Sequence, residues 1–322
     1  MKLPGLEPTI GKPMSRVVLG TMVLSMEELD RSFQLLDAAF EAGINTFDAA
    51  WVYAGGDAER CLGAWIESRA VRSDVVIIDK GCHPNQDRKR VTPYDLEADL
   101  HDALARLRVE SIDAYLLHRD DPDVPVGEIV DALNEHHFAG RITAFGGSNW
   151  TYTRIREANE HAFERSMQPF MLSSPNYGLA LQIEDPWGPG CVSLSGPEHA
   201  AARAWYCETG MAVMAYSSLG RGLFSGRLTR DNYPELADEA CQRAYCHEVN
   251  FTRLDRARKL AKEKKVSVAQ LALAYVLNSP MNVYALVGAT TESECRECVA
   301  ATRIELTERE LRWLETGRDA GH

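Results

Sequence analysis

An aspartate, a tyrosine, a lysine and a histidine (Asp48, Tyr53, Lys80 and His118) stand where they could work together as one acid in this 322-residue chain. Asp48 and His118 lie in the short apolar runs NTFDA (45–49) and IDAYLLH (112–118), Lys80 directly follows VVIID (75–79), and Tyr53 comes five residues after Asp48. A phenol, with a pKa of about 10, is a weak proton donor near neutrality. A buried ammonium within hydrogen-bond reach favours the phenolate and lowers that pKa. The ammonium in turn needs a carboxylate to stay charged once desolvated. An imidazole can hold a substrate oxygen or share in delivering the proton. The chemistry this suggests is proton donation to a carbonyl during hydride transfer, with Tyr53 as the acid, Lys80 its tuner, Asp48 the partner of Lys80 and His118 the orienter. Taken singly, each residue has an ordinary explanation: a helix cap, a solvated charge, a satisfied polar group. A Schiff-base aldolase built on Lys80 is a different chemistry for the same scaffold.

Those side chains need a frame, and the sequence supplies an eightfold alternation. Short apolar runs occur at RVVLG (16–20), NTFDA (45–49), VVIID (75–79), IDAYLLH (112–118), ITAFGG (142–147), PFMLSS (169–174), MAVMAY (211–216) and VYALVG (283–288). They are continuously apolar, as buried parallel strands are. Between them run helical patterns. In 26–42, Leu29, Phe33, Leu36 and Phe40 share one face, Ser25 with Glu28 reads as a capping box, and Gly43 ends the segment. Ser267 with Gln270 opens a later helix that stops before Pro280. Further helices are expected near 57–69, 93–108, 127–138, 151–165, 198–209, 252–265 and 291–301, with an appended C-terminal helix at 308–316. The pattern predicts an α/β fold, a single (β/α)8 TIM barrel over 1–322 with long βα loops. The rival, an open doubly wound sheet, lacks its fingerprint: the first strand leads into GTMVLS, which is no G-x-G-x-x-G. The segments 175–196 and 217–251 show no periodicity and are expected to be functional loops.

The formal charge of −12 argues against nucleic acid or an anionic membrane as partner. The first residues, MKLPGLEPTIGKPM, contain no apolar targeting segment, and no run is long enough to span a membrane. Eight scattered cysteines suit reduced thiols, and the expectation is a cytoplasmic protein. Cys295-x-x-Cys298 raises a redox or metal reading. A structural zinc wants four ligands, and Cys246-His247 supplies them only at irregular spacing, so no metal site is expected.

In a barrel the chemistry gathers at the carboxyl ends of the strands, here Gly20-Thr21-Met22, Asp48, Lys80, His118, Ser148-Asn149, Ser174, Tyr216 and Gly288. The segments GINTFDAAWVYAGGDAERCLGAWI, VVIIDKG, IDAYLLHRDD, GGSNW and AYSSLGRGLFSG resemble, in order and spacing, the aldo-keto reductase family, and the resemblance runs from Gly20 to about Leu306. It implies a (β/α)8 barrel that reduces an aldehyde or ketone, such as a sugar or small aldehyde, with a nicotinamide cofactor. By the same resemblance, Gly20, Thr21, Met22 and Asp48 adjoin the cofactor, and Ser148 and Asn149 hold its carboxamide. Ser174 stands where the family has Gln. Tyr216 stacks on the nicotinamide, and Ser217, Leu219 and Gly222 cradle the pyrophosphate. Gly288, Thr290, Glu294, Glu297 and Cys298 serve the adenosine end, with Cys298 in place of the usual Asn. Glu294 falls where Arg or Gln usually lies near the 2′-phosphate. A carboxylate repels a phosphate but is a normal acceptor for a ribose diol. The family favours NADP(H), and Glu294 pulls toward NAD(H). On the substrate side, Trp51, His118 and Trp150 are expected contacts for a small carbonyl or alcohol, Trp187 a lid, and Asp120 either a sugar contact or a solvated turn. Potassium-channel β subunits also resemble the family, so a regulatory binding protein on the same barrel is the alternative function.

Overall fold

Apolar runs that lack alternation need cover on both faces, and the chain provides it by closing its strands on themselves. The computed structural model describes residues 2–318. Its strands β1 (Val17–Gly20), β2 (Thr46–Asp48), β3 (Val76–Gly81), β4 (Ile112–Leu117), β5 (Ile142–Ser148), β6 (Leu172–Ser174), β7 (Ala212–Ala215) and β8 (Val283–Val287) form a closed parallel barrel in sequence order. A short α1 (Leu6–Ile10) precedes it. Then α2 (Leu29–Glu41), α3 (Asp57–Arg69), α4 (Pro93–Leu107), α5 (Val126–Phe138), α6 (Tyr152–Glu164) and α7 (Ala200–Thr209) alternate with the strands. Between β7 and β8 come α8 (Tyr233–Leu236), α9 (Glu239–Tyr245), α10 (Glu248–Lys264) and α11 (Val268–Leu277), and α12 (Glu292–Ala300) and α13 (Glu308–Thr316) follow β8. The expected (β/α)8 barrel is the fold. No helix among the described residues is long and apolar enough to cross a membrane.

Successive strand residues face opposite sides, and the barrel turns this into two apolar layers. Val18, Val76, Ile78, Ala114, Leu116, Ala144, Leu172 and Met214 pack inside, joined by Leu6 and Met14. Leu19, Phe47, Ile77, Tyr115, Leu117, Phe145 and Val213 pack outward with residues of the helices. The same parity aims the chemistry. Two residues beyond Ile78 comes Lys80, and two beyond Leu116 comes His118, while Asp48 sits in register with Ile78. All three side chains therefore project from the inner layer at the carboxyl end.

Two local readings change. Ser25 and Glu28 do not box the N-terminus of α2, which starts at Leu29 without a side-chain cap; the Ser25 hydroxyl accepts from Glu27 N instead. The box at Ser267 and Gln270 does form. The stretch 217–251 contains α8 and α9, too short for periodicity to reveal. By contrast 175–196 forms no helix or strand, and backbone bonds of 2.8 Å from Asn176 N to Val192 O and from Leu194 N to Asn176 O fold it into a compact loop.

Gly146 marks the closest approach of two strands. A Cβ there would lie 1.8 Å from Leu172 O, so even one methyl must push β5 and β6 apart. Gly146→Ala should cost about 1–3 kcal/mol, read as a lower midpoint in thermal or denaturant unfolding. An unchanged midpoint would contradict this packing.

Candidate active site

The ladder between β2 and β3 continues past the strand ends and places Tyr53. Ala49 N donates to Ile78 O and Trp51 N to Lys80 O, both at 2.8 Å. The chain then turns tightly at Tyr53–Gly56, with Ala54 at φ 48° and both glycines also at positive φ. This hooks Tyr53 over the backbone that carries Lys80. On the other side His118 N donates to Gly81 O at 2.8 Å, which extends the β3–β4 ladder to the histidine.

The side chains meet as the sequence expectation requires. Lys80 Nζ donates to Asp48 Oδ2 at 2.7 Å, to Ala49 O at 2.9 Å and to the Tyr53 hydroxyl at 3.2 Å. The Tyr53 and His118 rings meet edge to face at 5.8 Å. Asp48 and Lys80 are buried, and Tyr53 and His118 are half-buried above them. Desolvation pulls the Lys80 ammonium down, but Asp48 and Tyr53 outweigh it and hold its pKa above the ordinary value. One expectation needs correcting: burial raises the Tyr53 phenol, and although Lys80 lowers it, the net shift is upward. Burial also pushes His118 well down, aided by the neighbouring charges of Lys80 and Arg119, so its imidazole is neutral. His118 Nδ1 and Asp48 Oδ1 are buried with no hydrogen-bond partner.

Across the barrel a second chain of polar contacts joins the ends of β5, β6 and β7. Ser148 Oγ donates to Ser174 O at 3.1 Å, and Ser174 Oγ donates to Met214 O at 2.9 Å. Asn149, at φ 59°, donates to Ser148 Oγ and accepts at Oδ1 from the Tyr216 hydroxyl at 2.8 Å and from Val192 N at 3.1 Å. Trp187 lies against Tyr216 at 5.3 Å between ring centres, and Arg221 lies over Trp187 at 5.2 Å. The loop 175–196 thus reaches over Asn149 and Tyr216. At β1, Gly20 leads into Thr21, which is buried and bonded to Asp48 O, while Met22 is exposed. Beyond β8, Gly288 is exposed and Glu294 folds back to accept from Thr290 N at 2.8 Å and Thr290 Oγ1 at 3.0 Å.

Several assignments shift. Trp150 has no exposed surface; it packs on Phe170 and donates to Arg119 O, so it supports the site from beneath and is no substrate contact. Trp51 lies against Arg90 and Arg106 and donates to Asp102, which ties its loop to α4. Asp120 is neither a solvated turn nor a free acceptor, because it pairs with Arg154 at 3.2 Å. Cys298 turns into the apolar core with Cys295 and is no adenosine contact; burial pushes the two thiols up, to about 12 and about 11. Glu297 is half-exposed beside them. Two groups at the site were not singled out from the sequence. His83 stacks edge to face on His118 at 4.8 Å, and Arg119 is buried beside it. A loop histidine without regular spacing gave no sign of the first. Only a knowledge of which acids are already paired exposes the second.

The structure is an α/β barrel that gathers a buried cluster of ionisable groups at the carboxyl face of its strands. The profile of the Aldo/keto reductase family matches residues 16–316, and the chain belongs to that family and is an oxidoreductase. It is 26% identical to the uncharacterized oxidoreductase YrpG of Bacillus subtilis, over 94% of this chain and 92% of that protein. It is 28% identical to a probable voltage-gated potassium channel subunit beta of Oryza sativa subsp. japonica, over 91% of this chain and 89% of that protein. The crystal structure of an aldo-keto reductase from Klebsiella pneumoniae in complex with NADPH matches with a TM-score of 0.68 at 25% identity, covering 94% of this chain and 90% of that one.

The neutral state of His118 has a measurable consequence. The unfolded chain takes up a proton on this residue near pH 6.5, whereas the folded chain does not until well below that. His118 therefore contributes stability above about pH 6.5 that is lost as pH falls toward its folded pKa. By NMR the His118 ring signals should stay flat between pH 8 and 6. A midpoint near 6.5 would show that burial and its cationic neighbours do not act on it.

Proposed function

We propose that the chain reduces an aldehyde or ketone to the alcohol with NADP(H), using Tyr53 as general acid. The observation that carries the reading is one ammonium, Lys80 Nζ, bonded to both the Tyr53 hydroxyl and Asp48. The residues present suit a dinucleotide. Ser217, Gly220, Arg221 and Gly222 all take positive φ, the kind of turn whose amides form an anion-binding concavity. Leu219 lies within it, and a Cβ at Gly222 or Gly288 would meet open space. Ser148, Asn149, Ser174 and Tyr216 offer polar groups and an aromatic face at the barrel mouth, and the unpartnered Asp48 Oδ1 lies beneath. When bound, the nicotinamide supplies the hydride. His118, neutral, donates a ring N–H to the substrate carbonyl oxygen and fixes its direction. The Tyr53 O–H bond then breaks and its proton goes to that oxygen. Lys80 stabilises the phenolate left behind, and Asp48 keeps Lys80 charged while it does so. A phenol raised by burial is still far more acidic than the alcohol formed when it protonates the alkoxide. The likeness to a channel β subunit keeps a regulatory role as the second reading, which turnover distinguishes.

Tyr53→Phe should lower carbonyl reduction by about 10²–10⁴ and leave NADPH affinity unchanged. Turnover is followed by cofactor absorbance and affinity by titration. Retention of more than a third of the turnover would remove Tyr53 as the acid.

Cofactor choice turns on Glu294. Its carboxylate occupies the amide and hydroxyl of Thr290, donors that a 2′-phosphate at this position would otherwise use. Glu294→Arg frees them and adds a charge-assisted partner, worth about 1.5–3 kcal/mol or roughly ten- to a hundredfold in NADPH affinity. NADH should bind as before, and added salt should shrink the NADPH gain. Equal gains for both cofactors would place Glu294 away from the phosphate.

A further inference from the structure

The end of β4 holds a charge that the proposed reduction leaves unused. Arg119 follows His118, is 8% exposed, and is held by the bond from Trp150 Nε1 to its carbonyl. Its guanidinium donates from Nη1 to Cys191 Sγ at 3.5 Å. A thiol is a weak acceptor and cancels no charge. No carboxylate among the described residues pairs with Arg119. The acids of its own loop are all taken: Asp120 pairs with Arg154 at 3.2 Å, and Asp121 and Asp123 with Lys89 at 2.7 and 3.1 Å. A buried cation without a counter-ion is costly, and a bound anion would offset that cost.

The position of Arg119 says what that anion belongs to. Arg119 directly follows His118, and its guanidinium reaches Cys191, the neighbour of Val192. The Val192 amide donates to the same Asn149 Oδ1 that accepts from the Tyr216 hydroxyl, so Arg119 borders the barrel mouth between His118 and Tyr216. The loops suited to the cofactor's phosphates follow β7 and β8, while β4 lies across the closed barrel from β8. The remaining occupant is the substrate. A guanidinium presents a planar fork of donors that matches a carboxylate with two parallel bonds.

We propose that Arg119 anchors a carboxylate of the substrate, so that the preferred substrates are oxo-acids, aldehydes or ketones bearing a carboxylate a few bonds from the reacting carbonyl. This rests on the carbonyl-reductase reading and adds a second point of attachment. His118 directs the carbonyl oxygen, and Arg119 holds the far end of the molecule. His83, stacked on His118, borders the space between them.

The test compares ω-oxo acids of four to six carbons with their methyl esters, using wild type, Arg119→Met and Arg119→Lys with NADPH. Wild type should favour at least one acid over its ester by tenfold or more in kcat/KM. Arg119→Met should raise KM for that acid ten- to a hundredfold and leave the ester within twofold, with Arg119→Lys in between. Calorimetry with butanoate, which cannot react, should show binding to wild type and none to Arg119→Met. Removing an unpaired buried charge should leave the melting temperature unchanged or higher. Wild type that treats acids and esters alike, or fails to bind butanoate, overturns the proposal. So does an Arg119→Met variant that melts lower and loses acid and ester equally, as a structural role would dictate. If Arg119-dependent butanoate binding occurs but no aldehyde is reduced, the anion anchor stands and the reductase reading fails.

Discussion

A lysine ammonium inside a barrel is tolerable only with a counter-charge in contact, and the rest of the site follows from that requirement. Lys80 is buried and meets Asp48 at 2.7 Å. The neighbouring acid on the same strand does not compete. Asp79 faces the other side of β3, and burial together with Glu59 holds its carboxyl well above the usual range. Asp48 is thus the charge that keeps Lys80 protonated, and in the proposed reaction Lys80 is the group that would stabilise the phenolate of Tyr53. A change at Asp48 would act on Tyr53 through Lys80, although the bond between them runs through an ammonium and not directly.

Strand parity explains why so much of this was legible beforehand. Val76, Ile78 and Lys80 project to one side, as do Ala114, Leu116 and His118, so a sequence that marks its strands also marks which residues meet at their ends. Buried parallel strands are continuously apolar, and all eight could be located from that alone. Helix starts were less secure. Ser25 and Ser267 precede the same spacing of acid or amide, yet only Ser267 caps, because the Ser25 carbonyl and hydroxyl are engaged with Ser32 and Glu27. The long loops carried no signal, since helices of four and seven residues complete too few turns to show a periodic face.

The residues read least well are those whose role depends on a partner distant in sequence. Trp150 follows the polar pair that faces the barrel mouth, but its indole turns beneath them toward Phe170. Cys298 occupies a helix turn whose inward face belongs to the core. Glu294 was legible as a charge after β8, while its bonds to Thr290 were not; its carboxylate occupies donors of that loop. Arg119 illustrates the same limit from the other side. Its lack of a carboxylate partner emerges only once the structure assigns the two following aspartates to Arg154 and Lys89.

The chain carries a net charge of −12, which at first sight disfavours an anionic substrate. Distance decides the matter. Surface charges act through water and are screened within about 10 Å at 0.1 M ionic strength, so their repulsion is weak and spread over the whole approach. Arg119, itself buried, acts at contact, where screening is slight and donor geometry discriminates. The two scales do different work. The acidic exterior discourages polyanions such as nucleic acid, and the buried cation selects a small molecule that can place one carboxylate beside it. Lys80, Arg119 and a neutral His118 then form a graded set: one charge committed to the acid, one free for the substrate, and one uncharged donor. Were His118 protonated, a third cation would be added near Lys80 and Arg119; burial above all, and those charges after it, hold its pKa down.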